Sequence, residues 1–173
     1  MIELKKGNFH KSSKKEINSM VKIERTTAQS MSFRNLVQEL DSDLWAMYNN
    51  QSYKFDVDIN VENLQTVVLA SIENITVGGG CFKELSPQMV EIKRMFVNPY
   101  FRGLGVASGV LEELITWAKE LNYSTMVLET GEKQEDAISL YEKHGFGKIS
   151  PFGAYTGIAG SICMGRSISE VNG

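Results

Sequence analysis

Cysteine is nearly absent from this 173-residue chain: Cys81 and Cys163 stand far apart, without the close pairing of a metal site. Histidine is as scarce: His10 lies in the N-terminal extension and His144 ends a helix without a second partner, so neither is singled out for catalysis. No apolar run reaches the ~18 residues that a membrane helix needs. The first thirty residues lack the apolar core of a signal peptide, since Met1-Ile2-Glu3-Leu4 runs straight into lysines. The expectation is a cytoplasmic, reduced protein with no metal and no membrane partner. Phosphate-loop kinases and ATPases are excluded as well, because G-x-x-x-x-G-K-[ST] occurs nowhere. The dinucleotide fingerprint G-x-G-x-x-G fails too: Gly103 and Gly105 are followed by Ser108 where the third glycine belongs.

What is present is ordinary for a globular domain: 42% apolar and 23% charged residues, with a net charge of -3. The charge is uneven. Residues 1–25 hold seven Lys/Arg against three Asp/Glu, and the acidic remainder argues against a nucleic-acid groove, which needs clustered cations. Residues 1–19 read as a basic, mobile extension, and residues 20–170 as one domain.

Apolar spacing then divides the domain. Short strands are expected at Met20–Thr26, Thr66–Ile72, Val77–Leu85, Met89–Val97, Met126–Glu129, Phe146–Ile149 and Ser161–Ile168. Phe33, Leu36, Val37, Leu40, Leu44, Met47 and Tyr48 recur at three- and four-residue steps, the pattern of an amphipathic helix. A second helix opens at Arg102 and buries Val106, Val110, Leu111, Leu114, Trp117, Ala118 and Leu121; a third spans Glu135–His144, with Gly145 as its left-handed cap. Alternating strands and helices indicate an α/β (α+β) sheet fold. The triplet Gly78-Gly79-Gly80 inside a strand is read as a close backbone approach or a bulge.

The turn Arg102-Gly103-Leu104-Gly105-Val106-Ala107 follows a strand and opens a helix. The first turn of a helix leaves amide groups unpaired at the positive end of its dipole. Glycines let an anion come close to those amides, so the turn is a candidate phosphate cradle; its alternative is a tight connection.

Here the chain resembles a known family. Arg102-x-x-Gly105-x-Ala107 resembles the [QR]-x-x-G-x-[GA] signature of the GNAT superfamily of acyl-CoA-dependent N-acetyltransferases. Met95-Phe96-Val97-Asn98-Pro99 is similar to the family's strand end, and the segment from Ala137 through Tyr141 to Phe146 to its A-x-x-L-Y-x-k-x-G-F block. The resemblance implies a mixed, strongly twisted sheet of six or seven strands flanked by helices. It also implies that the strands Met89–Val97 and Met126–Glu129 splay apart to admit acetyl-CoA. It places the pantetheine arm on Met95, Phe96 and Val97, with a bulge there freeing amides for the thioester carbonyl. The pyrophosphate falls on the amides of Arg102, Gly103, Leu104, Gly105, Val106 and Ala107. Gln134 stands where many members carry asparagine, a weaker cofactor contact.

Catalytic candidates follow. Tyr141 offers a phenol to the departing thiolate, or else packs on the helix's apolar face. Glu91 offers a carboxylate to the attacking amine, or else pairs with Lys93 or Arg94; Glu129 is the fallback. Alternation puts Glu91, Lys93 and Met95 on one strand face and Ile92, Arg94 and Phe96 on the other. The acceptor, a small-molecule or peptide amine, is expected between the Phe33–Tyr48 helix and the loop of Phe152 and Tyr155. Asp41, Asp43, Asp56 and Asp58 would favour a cationic one. The activity implied is N-acetyl transfer from acetyl-CoA, against a catalytically silent acyl-CoA sensor on the same scaffold. Oligomeric state, a homodimer included, stays open.

Overall fold

The computed structural model describes residues 19–48 and 64–169. The basic extension up to residue 18, with His10, lies outside the described residues, as do Tyr53, Asp56 and Asp58.

A mixed seven-stranded sheet runs in the order β1-β2-β3-β4-β5-β7-β6. Its strands are β1 (Lys22–Thr26), β2 (Val67–Ile72), β3 (Ile75–Ser86), β4 (Met89–Val97), β5 (Thr125–Gly131), β6 (Gly147–Lys148) and β7 (Ser161–Ser167). Helix α1 (Met31–Tyr48) lies between β1 and β2, α2 (Val106–Glu120) between β4 and β5, and α3 (Glu135–Lys143) between β5 and β6. All neighbouring pairs are antiparallel except β4 and β5, which are parallel as their crossover through α2 requires. Among the described residues no helix is long and apolar enough to cross a membrane.

Each sheet face has its own core. Val110, Leu111, Leu114 and Ala118 of α2 pack on Val68, Ala70, Val90, Ile92, Met126 and Leu128, joined by Tyr141 of α3. On the opposite face Phe33, Leu36, Leu40 and Leu44 of α1 cover Val67, Leu69, Cys81 and Phe96. Every one of these helical positions was legible in the three-to-four spacing. The start of α2 was not: the helix begins at Val106, four residues after Arg102, because Gly103 and Gly105 take left-handed φ angles of 74° and 81°.

Two departures from regular pairing shape the sheet's middle. β4 and β5 pair only from Met89↔Thr125 to Ile92↔Leu128. Beyond that point β4 stays with β3 while Glu129, Thr130 and Gly131 stay with β7, so the two strands part. The second departure is a bulge. The β3–β4 register jumps from Cys81↔Lys93 to Gly79↔Phe96, which leaves Arg94 as an extra residue at φ 56°. That insertion corrects the expected faces: Met95 packs on the α2 side and Phe96 joins the α1 core, the reverse of simple alternation.

The glycine triplet fits this geometry. A side chain at Gly80 would strike Met95 beside the bulge, and one at Gly79 would come within 2.7 Å of the Val68 carbonyl and 2.9 Å of Leu36. Because backbone cannot yield as a side-chain tip can, Gly79→Ala should destabilise the fold by about 1–3 kcal/mol. Urea unfolding should show a lowered midpoint with an unchanged slope.

Candidate functional site

Where β4 and β5 part, a cleft of about 880 Å³ opens. One wall is the end of β4, from Ile92 to Val97; the other comprises Glu129 and Thr130 of β5 with Gln134, Ala137, Leu140 and Tyr141. Leu40, Leu44 and Met47 of α1 close one side, and Arg102, Gly103, Gly105, Val106, Ala107 and Ser108 form the mouth. The cleft therefore gathers most of the residues singled out in the sequence. Glu91 and Leu104 are not among its lining residues.

The mouth is built by local rules. Asn98 caps a short 3-10 turn, Pro99–Phe101, by accepting a hydrogen bond from the Tyr100 amide at 3.1 Å. Two left-handed glycines then swing the chain into α2, whose N-cap, Gly105, has no side chain to occupy the helix end. The first helical bond is donated by Gly109 to the Gly105 carbonyl at 3.0 Å, so the amides of Val106, Ala107 and Ser108 precede the intrahelical ladder. Arg102 braces this turn: its Nε donates to the Val97 carbonyl at 2.9 Å and its Nη2 meets Asp43 at 2.8 Å.

Tyr141, only 5% exposed, stands edge-on to Phe146 with ring centroids 5.8 Å apart. Burial pushes its phenol well above the usual tyrosine range, and the charge of Glu129 adds to the rise. It thus combines both expected characters: it packs against the core and lines the cleft.

Glu91 has a different environment. It is 1% exposed, with Lys93 Nζ at 3.0 Å and Lys83 Nζ at 3.4 Å. Tyr155 donates its hydroxyl proton to the same carboxylate and accepts a hydrogen bond from Lys93. Ion pairing, the alternative weighed for this residue, is thus present, with Lys93 as the partner that reaches the cleft. Through Tyr155 the loop before β7 is fastened to β4 at this point, and Phe152 packs edge-on against that tyrosine at 5.2 Å.

The acidic residues of α1 are also engaged. Asp41 binds Arg94 Nη1 at 2.9 Å, Asp43 binds Arg102, and Glu39 accepts from Asn98 at 3.1 Å. These partners offset the charge that was expected to attract a cationic acceptor. Gln134 is the N-cap of α3, and its side chain lines the cleft without capping the helix. His144 lies elsewhere, its Nδ1 2.9 Å from the Leu140 carbonyl. Cys163 is buried against β5, and burial pushes its thiol up. Among the described residues no group of three His, Cys, Asp or Glu side chains is placed to hold a metal. Sequence reasoning treated Arg94 only as a possible partner of Glu91. The family resemblance implied a bulge at Met95–Val97 and the glycine triplet across the ladder allowed one, but neither singled out Arg94 as the inserted residue.

Comparison with known proteins agrees with this geometry. Residues 28–146 match the Acetyltransferase (GNAT) family. An IAA acetyltransferase of Azospirillum brasilense is 33% identical over 122 residues, covering 69% of this chain and 80% of that protein. Among solved structures, an acetyltransferase of the GNAT family from Staphylococcus aureus Mu50 superposes with a TM-score of 0.69 at 21% identity. It covers 86% of this chain and 99% of its own. Rv2747 from Mycobacterium tuberculosis, determined in complex with CoA and NLQ, superposes with a TM-score of 0.62 at 18% identity. That match covers 84% of this chain and 98% of the other.

The buried Cys81, whose Sγ donates to the Lys93 carbonyl at 3.3 Å, gives the bulge region a pH signature. Burial raises its thiol from 9.0 to about 12, against the lowering influence of the Arg94 and Lys93 charges. Between those values the unfolded chain loses a proton that the folded chain keeps, so stability falls as pH rises. Urea titrations from about pH 8 to about pH 10 should show a shallower decline for Cys81→Ala than for the parent. The difference in slope should approach about 1.4 kcal/mol per pH unit.

Proposed function

The chain belongs to the acetyltransferase (GNAT) family, and on that premise we propose that it moves an acetyl group from acetyl-CoA to a primary amine by direct attack in a ternary complex. The observation that carries the reading is the parting of β4 and β5, which brings the uncapped glycine turn, the Arg94 bulge and Tyr141 to one cleft. These residues fit the co-substrate. The amides from Gly103 to Ala107 suit a diphosphate, whereas the Arg102 amide, expected among them, is held by the Pro99 carbonyl at 3.4 Å. The edge of Met95, Phe96 and Val97 turned away from β3 suits an extended amide-bearing arm. Gln134 adds a donor and an acceptor at the cleft wall.

Acetyl-CoA supplies an acyl carbon already activated by a thiol leaving group. In the overall transfer the amine nitrogen bonds to that carbon, the carbon–sulfur bond breaks, and a proton from the nitrogen ends on the thiol. The bulge amides donate to the carbonyl oxygen as negative charge grows there. Glu129, which lines the cleft, receives the amine proton directly or through water. Glu91, the first candidate in the sequence, does not line the cleft and is enclosed by Lys83, Lys93 and Tyr155, so the base role passes to the fallback Glu129 and Glu91 holds Lys93 and Tyr155 in place. Tyr141, which lines the cleft, would offer its hydroxyl to the sulfur of a bound thioester. A thiol ionises near ~8.5, far below this buried phenol, so Tyr141 acts by donating a hydrogen bond to the thiolate rather than by full proton transfer.

Tyr141→Phe keeps the packing on Phe146 and removes that donor. CoA release measured across amines, polyamines, aminoglycosides and peptide N-termini should fall by about 10- to 100-fold in kcat. Acetyl-CoA affinity should change little. Equal turnover by the two proteins removes Tyr141 from the chemistry, and acetyl-CoA binding without turnover on every acceptor replaces the enzyme with a sensor.

A further inference from the structure

Arg94 carries more donors than the fold uses. It is the inserted residue of the β4 bulge, its side chain is 13% exposed, and it lines the cleft beside Leu40, Leu44 and Met47. Asp41 takes Nη1. The Nε–H is buried and has no hydrogen-bond partner among the described residues. A buried guanidinium donor left unpaired is costly, and proteins keep few of them without a purpose.

The geometry of the guanidinium says what would satisfy it. Nε–H and the outer N–H of Nη2 lie on one edge of the planar fork, parallel and spaced to meet two oxygens of one carboxylate. Asp41 binds the other amino group, and so fixes the plane of the fork while leaving Nε without a hydrogen-bond partner among the described residues. Among the described residues no carboxylate lies on that edge.

We propose that the Nε/Nη2 edge of Arg94 is the docking point for a carboxylate carried by the acceptor amine. The class of substrate is then a small amino acid, its amine presented to the acetyl group and its carboxylate held at the bulge. The inference rests on the acetyltransferase reading and narrows its acceptor. It also agrees with the state of α1, where Asp41 and Asp43 are bound to arginines rather than set out for a cationic ligand. Leu40, Leu44 and Met47 offer the remainder of the acceptor an apolar wall.

The test is equilibrium binding by calorimetry to the full chain saturated with CoA. Its probes are amino acids paired with amines that lack only the carboxyl group: alanine and β-alanine against ethylamine, 4-aminobutyrate against propylamine, phenylalanine against phenethylamine. At least one carboxylated member should bind about tenfold or more tightly than its partner. Arg94→Met should erase that preference, and Arg94→Lys, which keeps the charge but not the fork, should retain only part of it. Both replacements are as strained at φ 56° as arginine, so backbone cost does not separate the variants. The proposal is overturned if no pair shows the preference, or if Arg94→Met preserves it. Because binding is read without turnover, the two readings fail separately. A carboxylate preference without CoA release on any acceptor sinks acetyl transfer alone, and turnover with no preference sinks the carboxylate alone.

Discussion

Hydrogen bonding between the parallel strands β4 and β5 ends at Ile92 and Leu128, and the rest of the molecule is arranged around that interruption. A parallel pair in mid-sheet would ordinarily continue its ladder, since unpaired amides and carbonyls in a protein interior are costly. Here each strand keeps its outer neighbour, β3 or β7, and gives up only the shared seam. Helix α2 packs under one side of the parting and α3 under the other, both anchored in one continuous core. The cleft is therefore held open by well-buried side chains rather than by mobile loops.

Electrostatics on the α1 side of the sheet follow the same economy. Glu91 is buried with two lysines and a tyrosine, and it is the only fully buried charged residue among those described. Truncating such a group leaves its partners uncompensated, so it restricts where Lys93 and Tyr155 can stand. Three polar side chains of α1, Glu39, Asp41 and Asp43, reach Asn98, Arg94 and Arg102 in turn. The end of β4, the bulge and the glycine turn are thus referenced to one helix. Each contact is partly exposed and modest alone. Together they fix the cleft's rim.

Much of this was readable in advance. The bounds of β4 coincide with the expected Met89–Val97, and most buried positions of α1 and α2 follow from apolar spacing, although the expected Met47 and Leu121 are exposed and the buried Ile115 was not singled out. The glycine turn was recognisable because positive φ and an uncapped helix start both demand small residues. A bulge at Met95–Val97 was implied by the family resemblance; what could not be read was which residue it inserts and which faces it exchanges. Arg94 breaks the two-residue alternation at a position where glycine or asparagine would have been the hint, and it exchanges the faces of Met95 and Phe96. Nor does a sequence show that Asp41 meets Arg94, 53 positions away, so its charge looked available to a ligand. Glu91 was legible as a charged residue on a central strand, but not as one enclosed by Lys83 and Tyr155 from two other segments.

The left-handed backbone at Arg94 carries a further consequence. An L-residue with a side chain held there costs about 1 kcal/mol or more, a penalty that glycine would escape. Glycine would relieve that strain but would widen the freedom of the unfolded chain and remove the Asp41 contact, so the net stability at this position is a small difference between opposed contributions. Backbone conformation and side-chain contact therefore act against one another at the same residue, and the link between α1 and the bulge exists only where the strain is accepted.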